Sequence, residues 1–212
     1  MKTSICKFLI LLVLFIISCR RTEILPDYIV VGQKVGKSID YFDYNPDIKC
    51  SFHRDINKED TIINLDLNMD GDDDFKIRLV ESCCALGTGI NEVTMIPLGN
   101  NKICIIPAPS YPDSIMEGCC TPSKLDWVDT LSINDTINSK NNWTNNESLI
   151  YHYSWLISNC TMREGLWHYP MLKQNRYIGF IIVEKRKNYY GWIGMYSNYI
   201  ISDCAIIQEY DE

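Results

Sequence analysis

Asp66-Leu67-Asn68-Met69-Asp70-Gly71-Asp72-Asp73-Asp74-Phe75 places oxygen-bearing side chains at every second position around one glycine. Its flanks set the fold class. Upstream, Ile63, Leu65 and Leu67 alternate with Ile62, Asn64 and Asp66; downstream, Phe75, Ile77 and Leu79 alternate with Lys76 and Arg78. A period of two belongs to a strand, so the segment predicts a β-hairpin with the acidic stretch at its tip. Ile63, Leu65, Leu67, Phe75, Ile77 and Leu79 are expected to face a core.

The tip itself predicts a cation. Aspartates 66, 70, 72, 73 and 74 crowd one short stretch, and carboxylates about 4 Å apart repel by roughly 1 kcal/mol per pair even in water. Ca²⁺ relieves that repulsion best, because it accepts about six to eight oxygen ligands from carboxylates, amides, backbone carbonyls and water. Asp66, Asn68 and Asp70 match positions one, three and five of a calcium loop, Gly71 permits the turn at six, Asp72 offers a carbonyl at seven, and Asp74 closes the site at nine. An EF-hand would add a glutamate at position twelve on a helix. Here that position is Ile77, on a predicted strand. The expectation is therefore one structural Ca²⁺ held by Asp66, Asn68, Asp70, Asp72 and Asp74 at a hairpin tip. The competing reading is a solvated acidic turn seeded by Asp70-Gly71.

Working outward to the start of the chain, Lys2 and Lys7 precede an apolar run from Phe8 to Ile17, followed by Ser18 and Cys19. The run is too short for the roughly 20 residues a bilayer core requires, so residues 1–18 read as a signal peptide. Ile16-Ile17-Ser18-Cys19 resembles the bacterial lipobox, which implies that Cys19 becomes the lipidated first residue of the mature protein and anchors it to a cell-envelope membrane. Residues 19–27 then form a short tether, and residues 28–212 are expected to form a single domain.

The formal net charge of the chain is −7. Removing Lys2 and Lys7 with the leader takes it to −9, which disfavours nucleic acid and anionic lipid headgroups as partners.

Ten cysteines occur in all. Setting aside Cys6 in the leader and Cys19 at the anchor leaves Cys50, Cys83, Cys84, Cys104, Cys119, Cys120, Cys160 and Cys204. An even number in an exported chain predicts disulfides, with Cys83 and Cys84 reaching Cys119 and Cys120, or Cys104; the pairing itself is open. A Cys₄ zinc site built from the two adjacent pairs is the alternative, although it lacks the usual C-x₂-C spacing.

Strands are expected at Tyr28 to Val31, Ile48 to Phe52, both arms of the acidic hairpin, Glu92 to Pro97 and Lys102 to Ile106. Four prolines between 107 and 122, and six asparagines between Asn134 and Asn146, mark loops. The stretch from Asn146 to Ile157 fits helix and strand equally. Near the end, Tyr177 to Glu184, Tyr189 to Tyr196 and Tyr199 to Gln208 predict an antiparallel meander. Many short strands without interleaved helices favour an all-β fold, an antiparallel β-sandwich or open barrel.

The acidic hairpin, together with Tyr177-Ile178-Gly179-Phe180 and Tyr190-Gly191-Trp192-Ile193, resembles a family of secreted β proteins of Bacteroidota. In that family an acidic calcium-type hairpin is followed by a Tyr-Gly-Trp strand. The resemblance implies an exported, calcium-binding β domain and no particular activity. Asp60-Thr61-Ile62, Asp113-Ser114-Ile115, Asp129-Thr130-Leu131 and Asp135-Thr136-Ile137 resemble the O-glycosylation signal of the same group of bacteria.

Catalytic motifs are absent. His53, His152 and His168 lie in no H-E-x-x-H pattern, and no G-x-S-x-G elbow, Walker loop or G-x-G-x-x-G accompanies them. What remains is a non-catalytic envelope module for a glycan or protein partner, with Trp143, Trp155, Trp167 and Tyr169 as candidate stacking residues. The alternative is a carboxylate-based envelope hydrolase such as a glycosidase.

Overall fold

The computed structural model describes residues 27–36, 38–50, 60–84, 88–109, 125–155, 161–167, 176–185, 187–196 and 199–207. The signal segment, Cys19 and the tether to residue 26 lie outside them. Among the described residues the fold is all-β, as the spacing predicts. In chain order the strands are β1 (Tyr28–Val30), β2 (Ile39–Lys49), β3 (Thr61–Leu65), β4 (Phe75–Cys84), β5 (Thr88–Pro97), β6 (Lys102–Ile106) and β7 (Trp127–Val128). They continue with β8 (Thr136–Asn138), β9 (Trp143–Thr144), β10 (Ser148–Trp155), β11 (Thr161–Glu164), β12 (Arg176–Glu184), β13 (Lys187–Tyr196) and β14 (Ile200–Ile207).

Twelve of these join one mixed sheet in the order β2-β14-β13-β12-β6-β7-β10-β5-β4-β3, with β11 added beside β10 and β9 beside β6. The sheet curls into a half-barrel. Strands β1 and β8 form a separate antiparallel ribbon.

The acidic hairpin is built as its alternation predicts. Ile63 pairs with Ile77 and Leu65 with Phe75. Leu65, Leu67, Phe75, Ile77 and Leu79 are buried in the main core, with Ile63 partly buried against it. On the opposite face Ile62 stands in solvent.

The meander β12-β13-β14 is covered on both faces, which explains its near-continuous apolar composition. Ile178, Phe180, Ile182, Ile193 and Ile206 turn into the half-barrel core. Tyr177, Ile181, Tyr190, Trp192 and Ile207 turn the other way, and the ribbon lays Ile29, Val31 and Ile137 over them. The Tyr-Gly-Trp strand therefore lies between two hydrophobic layers. Gly191 is required there, since a Cβ would collide with the Phe180 ring.

Three stretches differ from expectation. The asparagine-rich stretch read as a loop contains the short strands β8 and β9. β2 begins at Ile39, well before Ile48, despite Asp40, Asp43, Asn45, Pro46 and Asp47. It is an edge strand paired only with β14 in the sheet order, where a proline and outward charges are tolerated. The ambiguous stretch after Asn146 is strand β10, paired with β5, β7 and β11.

Candidate functional site

The acidic loop closes on itself through its own backbone. Asn68 Oδ1 accepts the Asp70 N–H at 3.1 Å and Asp70 Oδ1 accepts the Asp72 N–H at 2.9 Å, two successive side-chain-to-backbone turns. Asp66 Oδ2 accepts the Gly71 N–H at 2.9 Å. Met69 and Gly71 hold φ of 59° and 97°, and the space around Gly71 is open, so glycine is favoured there by backbone conformation alone. Asp66 Oδ1 is buried and has no hydrogen-bond partner.

Asp74 is positioned differently from the rest. It is 6% exposed. Its Oδ2 accepts the Leu67 N–H at 2.8 Å and its Oδ1 accepts the Asn101 side-chain amide at 3.1 Å. Burial pushes its carboxyl up to about 6; the backbone donors of Leu67 and Asn68 oppose that rise, while Asp70 and Asp66 add to it. The residue expected to close a metal site thus braces the base of the loop. A further carboxylate, not visible from spacing, reaches the loop: Glu184, at the end of β12, accepts the Asn68 amide at 2.6 Å. Among the described residues no three His, Cys, Asp or Glu side chains form a metal-type cluster.

The other candidate residues scatter. Cys50, Cys104 and Cys204 are buried free thiols, not the paired cysteines expected. Each packs in a core position where burial pushes the thiol up to about 12. Cys83 and Cys84 lie at the end of β4, and Cys119, Cys120 and Cys160 fall outside the described residues. Trp167 is fully buried in the main core, so it presents no stacking face, and its indole N–H has no hydrogen-bond partner among the described residues. Trp143 is partly buried, with its indole N–H donated to the Asn138 carbonyl and its ring tilted against Tyr190. Trp155 ends β10, and Tyr169 lies outside the described residues.

A second polar constellation is made by strand register. His152 on β10 stands between Glu92 on β5 and Glu164 on β11 as direct cross-strand partners. His152 Nδ1 lies 3.0 Å from Glu92 Oε2, and its Nε2 is buried without a partner. Arg78 on β4 donates to Glu147 at 2.6 Å and lies 3.8 Å from Glu92, and Thr94 also donates to Glu147. His152 and Glu164 are 3% and 1% exposed. Sequence spacing missed this row because its members lie far apart along the chain. The available signal was polar residues alternating with core residues: Arg78 between Ile77 and Leu79, and Glu92 and Thr94 around Val93.

Neither family models, curated proteins nor solved structures yield a match to this chain. Function must therefore be argued from the two polar constellations and from the sequence.

Proposed function

We propose that the chain is a lipid-anchored cell-envelope protein whose β scaffold is braced by one Ca²⁺ and serves as a non-catalytic binding or structural module for a glycan or protein partner. The observation that carries the calcium reading is the buried, unpartnered Asp66 Oδ1 beside a loop of oxygen donors. Asp66, Asn68, Asp70 and Asp72 would hold the ion, with Asp74 positioning the loop from below. The ion would supply positive charge and rigidity, nothing more. Outside the cytosol a dissociation constant of about 10⁻⁴ to 10⁻³ M suffices for such a role.

Calorimetric titration tests this reading. The protein is expected to bind one Ca²⁺ in that range in preference to Mg²⁺, and Asp66→Ala is expected to abolish the heat. An identical isotherm for wild type and variant would sink the assignment.

The second reading, an envelope hydrolase, draws on the row Glu92–His152–Glu164, where a histidine oriented by a carboxylate keeps one ring nitrogen free. We favour the non-catalytic reading because His152 and Glu164 are buried in the sheet. A screen against chromogenic glycosides, esters and peptides decides between the two. Turnover that disappears in Glu92→Gln would establish the hydrolase.

A further inference from the structure

The ribbon of β1 and β8 has an outer face. Ile29, Val31 and Ile137 point inward onto the meander, so the alternate residues Tyr28, Val30, Thr136 and Asn138 turn outward. Tyr28 is 47% exposed. At the ribbon's far end two aliphatic side chains stand in solvent: Val35 at 80% and Ile133 at 62% exposure. Ile133 flanks the turn that follows β1, since the Asn134 N–H donates to the Val31 carbonyl and the Ile133 side chain packs beside Gly32; Val35 follows Gly32 three residues along the chain.

Cations border this apolar tip. Lys34 is bonded to Asp203 yet half exposed, and Arg176 donates to Ser132, next to Ile133. Lys34 also donates to Tyr41, and the acids Asp27 and Asp135 stand exposed beside the same ribbon, Asp135 accepting the Ser132 N–H.

The ribbon is also where the anchor joins the fold. On the reading of Cys19 as a lipidated residue, eight residues, 19–26, separate the acyl chains from Asp27 and β1. Fully extended, they span at most about 28 Å. The first folded element after the anchor is therefore held near the bilayer surface, and it and the segment that follows carry exposed aliphatic and aromatic side chains of the kind that enter a lipid interface.

We propose that the outer face of the β1–β8 ribbon, led by Val35 and Ile133, seats on the lipid interface of the membrane to which Cys19 is anchored. This rests on the anchor reading and goes beyond it, because a tether alone leaves the domain free to tumble. Seated in this way, the domain holds its acidic loop and meander in a fixed orientation to the bilayer. It also covers Thr136, so a glycan there and membrane seating are mutually exclusive.

The test uses the acylated full-length mature protein in vesicles of phosphatidylethanolamine and phosphatidylglycerol. A photo-crosslinking benzoylphenylalanine replaces Val35, Ile133 or, as control, Ile62 on the distant edge strand β3. All three side chains are exposed, so the fold tolerates the exchange. Flotation is read first, lipid adducts second. Co-flotation with about tenfold more lipid adduct at positions 35 and 133 than at 62 is the expected result. Co-flotation with equal or no adducts at 35 and 133 would overturn the seating while leaving the anchor intact. Failure to float would overturn the anchor and the seating with it. A glycan found on Thr136 of the native protein would overturn the seating alone.

Discussion

The Asn101 side chain donates to Asp74 Oδ1 at 3.1 Å, joining the turn after β5 to the base of the acidic loop. The same side chain accepts the Val183 N–H through its Oδ1 at 2.9 Å. One buried amide therefore joins the hairpin to the C-terminal meander.

Asn101→Ala removes both links and strips a buried carboxylate of one of its donors. A loss of about 2–4 kcal/mol is expected, because hydrogen bonds to charged groups and orphaned buried polar groups each contribute about 1–3 kcal/mol. Urea denaturation measures it. The exposed neighbour Asn100→Ala should change stability by less than about 0.5 kcal/mol, and equal effects from the two would remove Asn101 from this role.

The three buried thiols report the intactness of the core. In the folded protein Cys50, Cys104 and Cys204 release their protons only near 12, against an ordinary value of 9.0. The protonated form is thus favoured by folding. Its contribution is complete below pH 9 and is lost as pH rises from 9 towards 12. Stability should fall across that window. At pH 8 the folded thiols are expected to resist iodoacetamide and to react rapidly once urea unfolds the chain, which peptide mass mapping detects. Rapid native alkylation of Cys204 would contradict its burial.

Gly165, after β11, holds φ of 83°, and a Cβ there would run into the Ile150 carbonyl oxygen. Gly165→Ala should therefore destabilise by about 2–4 kcal/mol, from backbone strain and overpacking together. Gly71→Ala shares the positive φ but meets open space, so its cost should be nearer 1 kcal/mol, the conformational part alone. Thermal melts of the two variants separate the contributions.

On the proposed lipid anchor, Cys19→Ala should release the protein from membranes. Fractionation with a carbonate wash checks this, and a variant that stays with the membrane would argue against a lipid at that residue.

How much was legible follows from where pattern exists. The acidic hairpin could be read because Ile63, Leu65, Phe75 and Ile77 keep strict alternation, and the meander because its runs are long and apolar. The first half of β2 could not, since Asp40, Asp43 and Pro46 carry turn chemistry that only an edge position excuses. Strands β7, β8 and β9 have two or three residues each, too few for any period to show. At the site, spacing pointed to the loop but gave no sign that Asp74 also accepts from Asn101 and Leu67 at its base. Glu184 and the Glu92–His152 pair were beyond reach, because strand register and the curl of the sheet bring together residues 116 and 60 positions apart.

β2, near the start of the folded chain, pairs in the sheet only with β14, the last strand: Phe42 lies opposite Cys204 and Tyr41 opposite Ala205. A chain that emerges amino-terminus first presents β2 long before its partner arrives. Until then its hydrogen-bonding edge is open, and loop closure over such a distance is slow. The molecule cannot mature in step with its own emergence. A ribosome that stops short of β14 yields a chain with β2 unpaired and the meander unfinished, a form suited to clearance by proteases.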